Sequence, residues 1–394
     1  MTAINNTEQA GLTYVGPSAF EAAFSSEAPF WLRPVGITPL AELAGVQKRA
    51  DSLALAGGPL GFTHLDMVAP HNGGYCAARV TVAEALKIGG QAAEAQVHAL
   101  SSPRPAFAGL PMDRPHIMGI VNVTPDSFSD GGRFLGADAA IAHGRAMGCA
   151  GASLLDIGGE STRPGAEPVT REDELARITP VISALSADGH LVSADTRHAD
   201  VMGPALSAGA RIINDVSGFT DDGAAEVMGE AHSASPRNSF AIAMHMQGTP
   251  QTMQDNPAYG FAPVEVFEVL RGHIDRLVAA GLPRSHIAVD PGFGFGKTPV
   301  HNAQIIKWTA LFHGLGVPVL IGVSRKSSIP KLAAAGGAGD GAGHGDEAYG
   351  ASSDERLGGG LALTLAATQQ GAQLIRTHDV AETVQAVAVQ KSLG

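Results

Sequence analysis

From about His116 onward, short apolar runs alternate with stretches of helical period. The runs are IMGIVNV (117–123), SLLDIG (153–158), LVSAD (191–195), RIINDV (211–216), FAIAMHM (240–246), HIAVDPG (286–292), VPVLIGVS (317–324) and AQLIRTH (372–378). They are apolar nearly throughout, as expected for parallel strands covered on both faces. Between them, ADAAIAHGRAMGC, REDELARITPVISAL, VEVFEVLRGHIDRLVAAG and NAQIIKWTALFHGLG read as helices. Several end in Gly just before the next strand, the expected stop signal. VAETVQAVAVQKSL, after the last run, supplies an eighth helix. The pattern predicts an α/β fold, a (β/α)8 TIM barrel over residues 114–394, with an open doubly wound sheet as the alternative.

Residues 1–113 do not follow this rhythm. They contain a helical stretch, VAEALKIGGQAAEAQVHAL (82–100), and turn-rich pieces such as ALAGGPLGF. We read them as a small appended N-terminal α/β region of unknown role, with SSPRPAFAGLPMDRP (101–115) as a linker. A barrel takes about 250 residues, so the 394 of this chain leave room for such an addition. The Gly/Ala-rich stretch 333–355 reads as a flexible loop between the seventh strand and its helix.

Composition narrows the partners. Acidic residues outnumber basic ones, 38 to 26, for a formal charge of -12, which argues against a nucleic-acid surface but not against a small anionic substrate. The two cysteines, Cys76 and Cys149, are too few for a disulfide framework and lack metal-ligand spacing. The first residues show no secretory signal, and no run approaches the roughly 18 apolar residues of a membrane span. A cytoplasmic location, with no membrane partner, is the expectation.

Chemistry in a TIM barrel gathers at the C-terminal ends of the strands. Those ends carry Asn122, Thr162 with Arg163, Asp195, Asn214, Met244 with His245, Asp290, Lys326, and Arg376 with His378. One polar residue at a strand end is usually structural; a set converging on one rim points to an active site. Asp195, Asn214, Asp290 and Lys326 suit a planar heterocycle with amide and amidine edges. Arg163, Arg376 and His378 suit phosphate oxygens. Asn122, Asp126 and Asp130 have the oxygens for a hard cation such as Mg²⁺. His245 reads as structural.

The glycine-rich loops are less specific. DPGFGFGKT (290–298) fails the Walker spacing, because Pro291 stands five before Gly296. It reads as a tight loop leaving a strand, with Phe293 and Phe295 available to cover a ring. Ser327 or Ser328 in SRKSS (324–328) could cap the following helix, and a carboxylate could bind at that positive terminus.

Taken in order, NVTPDSFSDGG (122–132), GGESTRPG (158–165), NDVSG (214–218), MHMQGTPQTMQ (244–254), DPGFGFGK (290–297), SRKS (324–327) and RTHD (376–379) resemble the motifs of the dihydropteroate synthases. The resemblance covers residues 115–394 and implies a (β/α)8 barrel, usually a homodimer, acting in folate biosynthesis. The implied reaction joins a dihydropterin diphosphate to p-aminobenzoate and releases diphosphate. It implies a pterin pocket from Asp195, Asn214, Met244, Asp290 and Lys326, and a diphosphate site with Mg²⁺ at Asn122, Arg163, Arg376 and His378. It implies a p-aminobenzoate site from Thr162, Arg163, Pro164, Phe295 and Ser327. Catalytic roles fall to Asp126, Asp130, Arg163, Lys326, Arg376 and His378. The long 333–355 stretch and the first 113 residues depart from compact members without removing a motif. A pterin-dependent methyltransferase and a catalytically silent pterin-binding homologue are the competing readings.

Overall fold

The computed structural model describes residues 11–24, 28–46, 52–123, 133–161, 169–336, 352 and 354–393. Eight parallel strands form one sheet: β1 (His116–Asn122), β2 (Leu154–Gly158), β3 (Val192–Asp195), β4 (Ile212–Asp215), β5 (Phe240–Met244), β6 (Ile287–Asp290), β7 (Leu320–Ile321) and β8 (Leu374–Thr377). Neighbours follow the order β6-β5-β4-β3-β2-β1-β8-β7. A parallel bridge between Val289 and Val319 joins β6 to β7 and closes the ring, so the expected TIM barrel forms in place of an open sheet. Its helices are α1 (Arg133–Cys149), α2 (Arg171–Ala187), α3 (Ala199–Ser207), α4 (Ala224–Ala234), α5 (Ala262–Ala279), α6 (Pro299–Lys307), α7 (Ser328–Ala335), α8 (Leu357–Gln369) and α9 (Val380–Leu393).

Successive strand residues point alternately into the barrel and out to the helices. Leu155, Ile157, Val192, Ala194, Ile213, Val289 and Ile375 join the outer core beneath the helices. Met118, Leu154, Ile212, Ile242, Ala288, Leu320 and Leu374 form a separate inner cluster. One step further along several strands the inward positions become Asp156, Asp195, Asn214, Asp290 and Arg376. The barrel thus has a dry lower layer and a polar upper one.

The stretch 101–115 is not a free linker. Phe107, Ala108 and Met112 are buried in the inner apolar cluster, and Phe107 meets Phe240 edge-on with centroids 5.2 Å apart. The Gln373 side-chain amide donates to the Met112 carbonyl at 3.0 Å, and His116 Nε2 lies 2.7 Å from the Pro111 carbonyl. The segment is a floor for the barrel because the lower layer would otherwise face water.

The appended region is α/β, as expected. Strands Leu12–Tyr14, Gly74–Thr81, His64–His71 and Trp31–Val35 make a four-stranded sheet in that order. Helix Val82–Ser101 begins with a capping box between Thr81 and Glu84 and packs Val82, Ala85, Val97 and Leu100 into a core with Phe62, Leu65 and Met67. Trp31, Val68 and Ala77 belong instead to the barrel's outer core. The join is also polar: Trp31 donates to Glu268 at 2.7 Å, and Arg33 donates to the Lys307 carbonyl at 2.6 Å with its guanidinium 4.4 Å from the Trp308 ring centroid. No helix among the described residues is long and apolar enough to cross a membrane. Cys76 is buried, Cys149 is exposed, and both are free thiols.

Candidate active site

The upper layer is built around Arg376. It reaches inward from β8, donating through Nε to Asp156 Oδ2 at 2.6 Å and through Nη2 to Asp195 Oδ2 at 2.5 Å. Asn214, buried on β4, donates to the same Asp156 oxygen at 3.0 Å. The sequence reading set Arg376 at the mouth with the phosphate-binding groups; here its guanidinium is paired with the floor. The physical reason is that the buried Asp156 carboxylate and the half-buried Asp195 carboxylate beside it need a counter-charge, and this cation can reach both.

The charges shape one another. Burial pushes the Asp195 carboxyl up, Arg376 opposes this, and Asp156, Glu174 and Asp215 reinforce it. Burial works against the Arg376 cation, but Asp156 and Asp195 outweigh it and hold its pKa above the ordinary arginine value. Asp290 is pushed up to about 6 by burial, while the Gly292 N–H donating to its Oδ1 at 2.7 Å and the Lys326, Lys297 and Arg376 cations pull the other way. The floor is therefore an acid–amide–cation set, suited to the N–H and carbonyl edges of a flat heterocycle.

Beside the floor, Met244, Val216, Met253 and Phe295 form a small apolar cluster. The Lys326 ammonium lies 3.8 Å from the Phe295 ring centroid, a cation–π contact. Asn122 is half-buried at the end of β1, and His378 is half-buried at the end of β8, its backbone N–H donating to Ser324 Oγ at 3.2 Å. Ser327 is exposed and stands at the N-cap of α7 by position only; of the two serines that could cap this helix, its side chain makes no capping hydrogen bond. Ser328 instead accepts from the Asn302 amide at 2.9 Å. His245 is buried beside Lys297, the arrangement of a structural histidine. Asp126, Asp130, Thr162, Arg163 and Pro164 lie outside the described residues, as does most of 333–355; Ala333–Ala335 close α7.

Sequence reasoning missed several members. Asp156 sits two residues after inward-facing Leu154, so strand alternation was the signal for it. Arg325 and Asp379, inside SRKS and RTHD, join the two loops that carry Lys326 and His378: Arg325 Nη2 donates to Asp379 Oδ1 at 2.6 Å. Glu160, inside GGESTRPG, accepts from Arg197 at 3.0 and 3.2 Å and faces His198 at 3.5 Å. Burial would raise its carboxyl, but these partners hold it down at about 2.

A closed parallel barrel with polar side chains gathered at its strand ends is the build of a barrel enzyme, and comparison with known proteins gives its class. Residues 118–378 match the family model described as pterin binding enzyme. The dihydropteroate synthase of Escherichia coli is 41% identical over 281 residues, 71% of this chain and 92% of that protein. The structure of Xanthomonas albilineans dihydropteroate synthase with 4-aminobenzoic acid superposes with a TM-score of 0.63 at 42% identity, covering 73% of this chain and 96% of that one. A structure of the X. albilineans enzyme in complex with 7,8-dihydropteroate gives 0.61 at 39% identity, covering 72% and 95%. The chain belongs to the pterin binding enzyme family. Its activity is that of a dihydropteroate synthase, a transferase of folate biosynthesis.

Proposed function

We propose that the chain condenses 6-hydroxymethyl-7,8-dihydropterin diphosphate with p-aminobenzoate by dissociative C–O cleavage, using the residues gathered at this rim. The observation that carries the reading is the Arg376 guanidinium held between Asp156 and Asp195 above the apolar layer. A pterin ring laid across Asp195, Asn214, Met244, Asp290 and Lys326 finds acceptors for its N–H groups and a donor for its carbonyl. The ring delocalises the cation left when diphosphate departs, and the Asp195 and Asp290 carboxylates favour that electron-deficient form. His378 and Arg163 bear on the leaving diphosphate, together with Arg376 through the guanidinium N–H groups that its bonds to Asp156 and Asp195 do not use. The neutral arylamine then attacks from the side of Phe295 and Ser327, where Thr162, Arg163 and Pro164 complete the proposed set, and its nitrogen gives up one proton to the departed diphosphate or to solvent; its loss of freedom is met by binding. No side-chain nucleophile is required.

Magnesium belongs to the same proposal. Among the described residues no three His, Cys, Asp or Glu side chains come together as a metal cage. Asn122 contributes one amide oxygen at the rim, a donor that fits an ion which keeps waters and takes its other ligands from diphosphate. Asp126 and Asp130 complete the proposed set. The ion supplies charge neutralisation on the leaving group. We propose further that the enzyme works as a homodimer in the cytoplasm, on small molecules, with no nucleic-acid or membrane partner.

The test is a coupled assay for diphosphate release by purified protein given the pterin diphosphate, with and without p-aminobenzoate and Mg²⁺. Release at the same rate with and without Mg²⁺ would contradict the metal assignment, and release that added p-aminobenzoate never turns into a condensed pteroate product would contradict the condensation.

A further inference from the structure

Lys297 closes DPGFGFGK in the position of a phosphate-binding lysine, yet it is only 2% exposed. Its ammonium donates to the Gly292 carbonyl at 2.9 Å, to the Phe295 carbonyl at 3.0 Å and to His245 Nδ1 at 2.9 Å. In its charged form the amine has three protons for these acceptors, and the His245 carbonyl lies near as a fourth at 3.5 Å, so none is left for a substrate phosphate. We propose that Lys297, with His245, is a positioning residue that holds the glycine-rich loop as the arylamine-side wall of the active site.

The loop needs such a hub. It leaves β6 through Gly292, Gly294 and Gly296, all with positive φ, and folds back onto the end of β5. A Cβ on Gly292 would stand 1.9 Å from the His245 carbonyl oxygen, and one on Gly296 2.6 Å from that of Gln247. Backbone packed this closely turns its carbonyls inward, where unpaired oxygens are costly. Lys297 satisfies the Phe295 carbonyl and adds a second donor to the Gly292 carbonyl, which also takes the Phe295 N–H at 3.1 Å, and the Tyr259 hydroxyl donates to the Gly296 carbonyl at 2.8 Å. His245 is kept neutral, because burial and the Lys297 charge both lower its pKa, and so its Nδ1 is free to accept. Burial also draws Lys297 down to about 7.

The bonds fall unevenly on the two substrate sites. Phe295, whose carbonyl Lys297 binds, carries the ring that faces Lys326. The backbone of Asp290 does not depend on Lys297: it pairs in the ladder with Met244, and its carbonyl accepts from the His245 N–H at 2.9 Å. Lys297 reaches the Asp290 carboxyl only through its charge, so the comparison below is made near pH 8, above the pH where that carboxyl takes up its proton. Removing the ammonium should therefore release the Phe295 wall and leave the pterin floor in place. This rests on the reading, given above, that Phe295 lines the arylamine site.

The experiment measures KM for each substrate in Lys297→Met, His245→Ala and Phe295→Ala. Lys297→Met should raise KM for p-aminobenzoate by about tenfold and leave KM for the pterin diphosphate within about twofold, since only uniform binding on one side is lost. His245→Ala keeps the two loop carbonyl bonds and should show the same selectivity at about threefold, which covers the case of a Lys297 variant that fails to fold. Equal shifts for both substrates, or none, overturn the positioning role. If Phe295→Ala leaves the p-aminobenzoate KM unchanged, the arylamine assignment fails instead.

Discussion

Arg376 Nε and Asp156 Oδ2 stand 2.6 Å apart inside the barrel, and the same carboxylate oxygen takes the Asn214 amide at 3.0 Å. Asp156 thus ties the cation to the pterin floor. Its place matters when substrate arrives. If Asp195 accepts from the pterin, it has less to offer Arg376, and Asp156 is the carboxylate that keeps the guanidinium in position. Asp156→Asn should lower kcat/KM by about 100-fold, the loss of roughly 2.7 kcal/mol of transition-state stabilisation. It should also destabilise the fold, since breaking a buried pair costs about 3–5 kcal/mol and an isosteric amide recovers part of that. Steady-state kinetics and denaturant unfolding check both; a variant with wild-type values in each would remove Asp156 from the site.

Asp290 predicts a pH dependence. Burial pushes its carboxyl up to about 6, so below that pH it carries a proton and loses an acceptor for the pterin. Affinity for the pterin diphosphate should weaken as pH falls through about 6. Asp290→Asn should impair pterin binding far more than p-aminobenzoate binding to a preformed pterin complex. Stability moves in the opposite sense. The native acid is weaker than the unfolded one, so the native state holds an extra proton between about pH 4 and 6, and stability falls as pH rises through that window. The stability of the wild type relative to Asp290→Asn should therefore drop from pH 4 to 6 and stay level above it. Calorimetric titration and unfolding across pH 4–8 test this; a flat difference would place the Asp290 titration elsewhere.

How much of this the sequence disclosed follows from which contacts are local. The eight barrel strands were legible because burial on both faces leaves continuous apolar runs, and even β7, only Leu320–Ile321, lies inside the VPVLIGVS run. Asp195, Asn214 and Asp290 were legible as polar residues closing such runs. Asp156 was not, because it lies inside one; only the inward phase set by Leu154 marks it. The descent of Arg376 onto Asp156 spans 220 positions of sequence, a pairing no local pattern encodes. In the appended region, Pro34 sits in the edge strand Trp31–Val35 and obscures the strand signal that its antiparallel pairing with Leu65 makes real.

The Arg325–Asp379 pair makes a third prediction. Arg325 adopts φ 59, a left-handed conformation uncommon for a residue with a side chain, and Asp379 holds it there through two guanidinium contacts at 2.6 and 3.3 Å. Asp379 also accepts from Ser324 at 3.2 Å, and the carbonyl of Arg325 accepts from Arg356 at 3.0 Å. Together they fix the turn that delivers Lys326. Asp379→Asn should reduce kcat by about tenfold through misplacement of Lys326 and His378, a modest positional loss. Because the pair is partly exposed, the stability cost should stay near 1 kcal/mol. A stability loss without any change in turnover would make the pair purely structural.

The floor offers the converse case. Phe107 is fully buried, packs edge-on against Phe240 and closes the apolar lower layer, a full stratum beneath the carboxylates. Phe107→Ala should cost about 3–5 kcal/mol, the transfer of the ring plus the cavity it leaves. The polar layer keeps its own ladder and ion pairs, so KM for both substrates should remain within about twofold at temperatures where the variant stays folded. Thermal unfolding and kinetics at low temperature separate the two effects. If KM for the pterin diphosphate rises in step with the lost stability, the floor and the active site are one cooperative unit, and the division of the barrel into a dry layer and a working layer is wrong.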